Sequence, residues 1–174
     1  MPQGDQGGNQ GGAPDAGSSD CLIQINGGTL VLDSAGDAID SNGSVEITGG
    51  TVLMIGSSRM AQSFSGGTQP FLCTANVSGS AGDTVAIVDA NGNVIASITA
   101  AKQFGMVLAS SPKLTEGGEY TLVIDGMLTN ADAHGYTDFG TVSGGGSTSA
   151  TASTMPSSSV GSMGSGPGTV GVER

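Results

Sequence analysis

Two segments near the start of the chain share one pattern of apolar and polar positions. Residues 25–32 read Ile-Asn-Gly-Gly-Thr-Leu-Val-Leu and residues 47–54 read Ile-Thr-Gly-Gly-Thr-Val-Leu-Met, an offset of 22 residues (47 − 25). Apolar residues alternate with others on both sides of each glycine pair, which is the period of a strand, and the glycines permit a sharp corner between two short strands. A fixed period of this length predicts stacked parallel coils. The predicted inward-pointing side chains are Ile23, Ile25, Leu30, Leu32, Val45, Ile47, Val52 and Met54.

The pattern changes after Thr68 to short β-type runs separated by turn residues. The runs span 71–77, 83–89, 94–99, 105–109 and 120–125. Asn91-Gly92 lies between two of them and predicts a β-hairpin. Strands at this spacing are typical of a small antiparallel sandwich. The predicted fold is therefore all-β: the end of a right-handed parallel β-helix, two coils long, followed by a small antiparallel β-sandwich.

This pattern divides the chain into four segments. Residues 1–19 form a Gly/Gln-rich disordered lead-in, 20–66 the β-helix coils, 67–142 the sandwich-like cap, and 143–174 a disordered, low-complexity Ser/Gly/Thr-rich tail. Stacked repeats normally need at least three units, so two coils indicate the C-terminal portion of a longer β-helix whose upstream coils are missing. We expect the open N-terminal coil to expose unpaired backbone groups and to allow self-association.

Composition narrows the classes of function. The chain has 174 residues and a formal net charge of −11, from 4 Lys+Arg against 15 Asp+Glu. Nucleic-acid binding needs clustered cations, so that class is excluded, and the acidic surface points to cations or to partners bound through them. No apolar stretch is long enough to span a membrane, and the N-terminus has no signal-peptide pattern. Cys21 and Cys73 fit either one disulfide or two small buried hydrophobes.

One polar turn holds the candidate metal ligands. Asp37, Asp40 and Asn42 lie close together between the two repeats. Calcium is bound by carboxylate, amide and carbonyl oxygens, so this turn is a candidate calcium site. The alternative is a turn ladder, because Asp and Asn side chains also bond their own backbone in turns.

Other polar residues have structural explanations that compete with functional ones. Arg59, the only cation in the repeat region, falls one period after Asp37, which favours a structural ion pair over a catalytic base. His134, the only histidine, has Asp132 and Asp138 nearby, and a solvated loop is favoured over a metal site there. Tyr120 is expected to pack in the core rather than stack on a sugar.

Several motifs resemble a bacterial family of carbohydrate-binding domain-containing proteins. They are Ile-Asn-Gly-Gly-Thr (25–29), Gly-Asp-Ala-Ile-Asp-Ser-Asn-Gly (36–43), Ile-Thr-Gly-Gly-Thr (47–51) and Gly-Ser-Ser-Arg-Met-Ala-Gln (56–62). The resemblance covers roughly residues 20–126, with Ala38 and Arg59 standing where the family usually has glycine. It implies a secreted, calcium-binding parallel β-helix related in fold to polysaccharide lyases, which binds acidic, pectin-type plant cell-wall polysaccharide.

The expected function is therefore non-catalytic binding of an anionic polysaccharide outside the cell or at its surface. Calcium would assist, with Asp37, Asp40 and Asn42 as its ligands. Two alternatives remain open: a structural or adhesive segment of a bacterial surface protein, and a remnant of a polysaccharide lyase. The sequence does not name the glycan or the residues that touch it.

Overall fold

The computed structural model describes residues 21–41, 43–59 and 62–156. This part of the chain is all-β: it contains no helix, and hence none long and apolar enough to cross a membrane. The strands are β1 (Leu22–Asp33), β2 (Ser44–Gly56), β3 (Gly66–Gly67), β4 (Phe71–Gly79), β5 (Thr84–Val88), β6 (Val94–Thr99), β7 (Phe104–Ser110), β8 (Glu119–Ile124), β9 (Met127–Leu128), β10 (Val142–Ser143) and β11 (Gly146–Thr151). The predicted lead-in, residues 1–19, lies outside the described residues.

The two repeats form the parallel pair β1 and β2. Leu22 lies opposite Ser44 and Leu32 opposite Met54, so the predicted offset of 22 residues is the register of the pair. The register is irregular only at the corner, where Gly28 and Gly50 have φ angles of 84° and 99°. The predicted inward side chains share one apolar cluster. Those from β2 are fully buried and those from β1 only partly, because β1 lies at the edge of the sheet.

The sheet does not stop at the predicted boundary between residues 66 and 67. β2 also pairs with β3 in parallel, and its residues Val52–Gly56 pair antiparallel with Met106–Ser110 of β7. The order is β1-β2-β7-β4, so strands from both predicted segments make a single sheet. The two predicted segments share this sheet because the far edge of β2 needs hydrogen-bond partners, and β7 supplies them.

The second sheet is antiparallel throughout, in the order β11-β8-β5-β6. β5 and β6 form the predicted hairpin, with Gly92 at φ 81° in its turn. The Asp89 carboxylate accepts hydrogen bonds from the Asn93 side chain and from the backbone N–H groups of Asn93 and Asn91. These bonds fix the turn and lower the pKa of Asp89. The hairpin prediction is confirmed, and all five predicted runs after Thr68 are strands.

Side chains from both sheets meet in one apolar cluster. Leu53 and Leu72 come from the first sheet, and Ile87 and Leu122 from the second; each is at most 2% exposed. Because alternate residues of β2 point to opposite faces, Leu53 joins this cluster while Val52 and Met54 face the apolar cluster shared with β1. Residues 52–55 of β2 are therefore buried on both faces and paired with a neighbouring strand on both edges.

The predicted disordered tail is wrong for residues 143–156. β11 pairs with β8 from Gly146 to Thr151, and Phe71 bridges Ser153. The segment has few apolar residues, so its composition resembles disorder. Backbone pairing along the free edge of β8 orders it, and Ala152 is fully buried in the core. Residues 157–174 lie outside the described part of the chain.

Candidate functional site

The predicted calcium turn connects β1 to β2. Asp37 is half-buried and Asp40 is exposed, while Asn42 lies outside the described residues. The turn is fastened by Gln62, whose side chain accepts the Ser41 N–H at 2.8 Å and donates to the Ser41 carbonyl at 3.2 Å. Within the described ranges, no group of three His, Cys, Asp or Glu residues could hold a metal ion. The calcium assignment therefore stays a prediction.

Arg59 does not pair with Asp37 as predicted. In the described part of the chain the ion pair is Lys113–Asp138, at 3.9 Å. The coil register continues as far as Ser57, whose N–H donates to the Gly36 carbonyl, and then a turn begins in which the Arg59 N–H donates to the Ser57 hydroxyl. Arg59 lines a shallow cleft of about 370 Å³, together with Ala35 of the β1–β2 connection.

A larger cleft, of about 680 Å³, lies beside the end of β1. One wall is the C-terminal end of β1, the second is the end of β6 and the residues after it, and the third is the loop between β9 and β10. Its lining includes Val31, Asp33, Ile98, Asp132, His134 and Tyr136. A mainly apolar concavity with a few polar groups is the usual form of a small-ligand site. We call it the β1–β6 cleft.

A tight turn at residues 132–136 places His134 and Tyr136 in the cleft. The Asp132 carboxylate accepts the N–H groups of His134 at 2.8 Å and Tyr136 at 2.9 Å. The backbone N–H of Asp132 also donates to the Tyr136 carbonyl, and the backbone N–H of Gly135 donates to the Asp132 carbonyl. The turn is thus closed on itself before it contacts any other element.

The Ser97 hydroxyl fastens this turn to β6. It is fully buried, donates to the Gly135 carbonyl at 2.7 Å and accepts the Thr137 N–H at 3.0 Å. The Thr99 N–H also donates to the His134 carbonyl at 2.9 Å. Because these bonds are made in the interior, they hold the turn at a fixed position above β6.

Asp33 supplies a buried acceptor on the opposite wall. Its Oδ2 accepts the Ala101 N–H at 2.5 Å, and its backbone carbonyl accepts from Lys102 Nζ at 3.1 Å. Its Oδ1 is buried and has no hydrogen-bond partner among the described residues. Buried polar atoms are nearly always paired, so the unpaired Oδ1 makes Asp33 an exception in this fold.

The electrostatics of the cleft are acidic. Hydrogen bonds from the Tyr136 and His134 backbone, with a smaller contribution from the His134 charge, lower the pKa of Asp132, which therefore stays ionised at neutral pH. Asp138 is held by Lys113 instead of facing His134. The alternative metal site of His134, Asp132 and Asp138 is thus not assembled, because Asp132 closes its own turn and Asp138 pairs elsewhere.

The two tyrosines have different environments. Tyr120 is 8% exposed, and its hydroxyl accepts the Thr115 N–H and donates to the Lys113 carbonyl, so the prediction that it packs in the core is confirmed. Tyr136 is half-buried and lines the β1–β6 cleft. Tyr136 is thus the tyrosine whose ring lines this cleft.

Both cysteines are free thiols. Cys21 is exposed at the start of β1, whereas Cys73 is half-buried against the coil cluster. Burial raises the pKa of Cys73, and the neighbouring Ser63 hydroxyl opposes part of this rise. The disulfide alternative is absent from the structure, and the small-hydrophobe alternative describes Cys73 but not the exposed Cys21.

Sequence reasoning missed Asp33, Ser97 and the position of Tyr136. Asp33 ends the apolar run 30–32, and Ser97 interrupts the apolar run 94–98, so each was visible as a polar residue in an apolar strand. Their meeting with residues 132–136 depends on the packing of β1 against β6, which no local pattern encodes. Comparison of the chain with protein-family models, curated proteins and solved structures finds no match.

Proposed function

We propose that the chain is a non-catalytic polysaccharide-binding module and that the glycan lies in the β1–β6 cleft. The observation that carries the proposal is that one cleft is lined both by an aromatic ring, that of Tyr136, and by a carboxylate, that of Asp33. A sugar has an apolar C–H face and a rim of hydroxyl donors. The ring matches the face, and the carboxylate matches the rim.

The proposal extends to the architecture and the setting. The parallel pairing of β1 with β2 and the start of a third level at β3 support the end of a right-handed parallel β-helix. The antiparallel strands that follow, packed across a shared core, support a β-sandwich cap. Such elements suit a bacterial extracellular or cell-surface binding protein, and we propose that setting.

Calcium belongs to the proposal because of the charge on the cleft. Asp33 and Asp132 both line it, and the whole chain carries a formal net charge of −11. A pectin-type uronate would be repelled by these carboxylates unless a cation neutralised them. Calcium accepts carboxylate oxygens from protein and glycan together. Acidic glycans should therefore bind only with calcium.

Replacement of Tyr136 tests the position of the glycan. Tyr136→Ala should weaken binding by about tenfold, since an aromatic contact of about 1.4 kcal/mol corresponds to that factor. Tyr136→Phe keeps the ring and is the matched control, with nearly unchanged affinity. The measurement is glycan-array screening of the wild type with and without calcium, followed by calorimetric titration of the best glycan. Equal affinities for wild type and Tyr136→Ala would place the glycan elsewhere.

Replacement of Asp40 tests a separate calcium position, the β1–β2 turn that holds Asp37 and Asp40. If Asp37 and Asp40 bind calcium, the ion should raise the thermal midpoint of the wild type, because a ligand that binds the native state stabilises it. Asp40→Ala should abolish that rise. Asp125→Ala, which removes an exposed carboxylate elsewhere, is the charge-matched control and should keep it. An unchanged calcium response in Asp40→Ala would remove this turn from the proposal.

Measurements of glycan binding and of product release by the wild type separate this proposal from the two alternative functions. A structural or adhesive β-helix segment is favoured by the edge position of β1, and it would bind no glycan under either calcium condition. A polysaccharide lyase remnant would release unsaturated sugar ends that absorb ultraviolet light from an acidic glycan. Glycan binding without such release is the result expected for a non-catalytic binding module.

A further inference from the structure

The outer edge of β1 is the side of the strand that faces away from β2. Among the described residues, β1 pairs with β2 alone, so its other side has no strand beside it. Leu22 is 53% exposed, and the inward side chains of β1 are only half-buried while those of β2 are fully buried. Between Leu22 and Leu32 the strand has no charged residue and no proline, the usual features that protect an edge.

The backbone groups that face outward follow from the bonds made inward. The Cys21 carbonyl accepts the Ser44 N–H, and the Ser34 N–H donates to the Ile55 carbonyl, so both residues face β2. Neighbouring residues of a strand face opposite edges. On the regular parts of the strand the outward-facing groups are therefore those of Leu22, Gln24, Thr29, Val31 and Asp33, whereas at the irregular corner the Asn26 carbonyl lies against Gly49 of β2.

Reversal of the strand about the Gly27–Gly28 corner places Gln24 opposite Val31, and both residues have outward-facing groups. Opposite residues of this kind exchange both N–H···O bonds in an antiparallel pair. Lys102 already donates to the Asp33 carbonyl, so the free edge ends before Asp33.

The side chains of β1 also match under this reversal. Ile23 falls opposite Leu32, Ile25 opposite Leu30, and glycine opposite glycine. Opposite residues of an antiparallel pair point to the same face, so every inward apolar side chain of one copy meets an apolar side chain of the other. The half-buried residues of β1 would then be covered as those of β2 are covered now.

We propose that β1 is a two-fold pairing edge for a second copy of this chain. The two β1 strands run antiparallel, the symmetry axis passes between Gly27 and Gly28, and the apolar clusters of the two coils become continuous. Contacts of this type are isologous and closed, so they end at a dimer. The proposal does not depend on glycan binding, because it uses the backbone edge of β1 alone.

Two substitutions at one position test the pairing in the full chain. Gln24→Pro removes an outward N–H and leaves the bonds to β2 intact, so it should convert the dimer to a monomer. Gln24→Ala keeps the N–H and should remain dimeric. Both variants lose the side-chain bond to Glu46, which makes Gln24→Ala the matched control. Sedimentation velocity measures the mass of each form.

The proposal is overturned if the wild type is monomeric up to its solubility limit, or if Gln24→Pro sediments as a dimer. A register measurement keeps the test decisive should Gln24→Pro misfold. Spin labels are placed singly at Thr29 or Leu22 in a chain with Cys21→Ser and Cys73→Ala. The two-fold axis requires a shorter distance between the two Thr29 labels than between the two Leu22 labels. Equal or reversed distances would contradict the antiparallel register.

Discussion

Val52→Asp is expected to leave the chain unfolded, while Leu30→Asp at the partner position in β1 is expected to fold. Val52 is fully buried, with 0% of its surface accessible to solvent. Its replacement by Asp therefore buries an unpaired charge, at a cost of about 4 kcal/mol or more. Leu30 is only half-buried beside an open edge, where a carboxylate reaches water, and should lose about 1–3 kcal/mol. Such a difference spans much of the stability of a small domain.

Urea denaturation followed by far-ultraviolet circular dichroism measures both free energies of unfolding. The comparison is made in the Gln24→Pro background, because pairing of two copies through β1 would bury Leu30 as well. Val52→Ala is the control for lost volume without charge. Equal destabilisation by the two aspartates would show that the first coil is as deeply buried as the second.

Gly135→Ala is expected to destabilise the chain and to abolish glycan binding together. Gly135 has a φ angle of 75°, and a Cβ there would lie 2.5 Å from the Thr99 backbone nitrogen and collide with the Thr99 hydroxyl. The turn would have to move away from β6, which breaks the bond from Ser97 to the Gly135 carbonyl. His134 and Tyr136 would leave the cleft with it.

Gly117→Ala is the matched control for the backbone strain. Gly117 has nearly the same φ angle, 72°, but a Cβ there meets nothing within 4 Å. The control should lose about 1–2 kcal/mol from the positive φ angle alone and keep full glycan affinity. Thermal unfolding and calorimetric titration measure the two effects. A Gly135→Ala protein with wild-type affinity would separate the turn from the binding site.

The part of the fold that could be predicted is the part with a local signal. The offset between the repeats, the inward side chains and the Asn91-Gly92 hairpin all follow from period, glycine position and turn chemistry. The pairing of β2 with β7 could not be predicted, because it joins residues 52–56 to 106–110 with no matching pattern between them. Edge pairing is set by which backbone groups are left over, and side-chain patterns do not record that.

Part of the predicted disordered tail is ordered for the same reason, pairing with a free backbone edge. Residues 146–151 read Gly-Ser-Thr-Ser-Ala-Thr, a composition typical of disorder, yet they form β11. Their order comes from the backbone edge of β8, and of the side chains only Ala150 packs against the core. The candidate site was equally hidden, since Asp33 and Tyr136 are about a hundred residues apart (136 − 33 = 103) and meet only through tertiary packing.

The central position of β2 also determines the order in which the chain can fold. Its parallel partner β1 is close in sequence, but its antiparallel partner β7 follows only after β4, β5 and β6. The second sheet is completed later still, by β11. Contacts between residues so distant in sequence make folding slow, since the intervening loop must close before any contact forms. During synthesis on the ribosome, the apolar side chains of β2 therefore stay uncovered until residue 110 has emerged. We expect the chain to be most prone to aggregation at this stage.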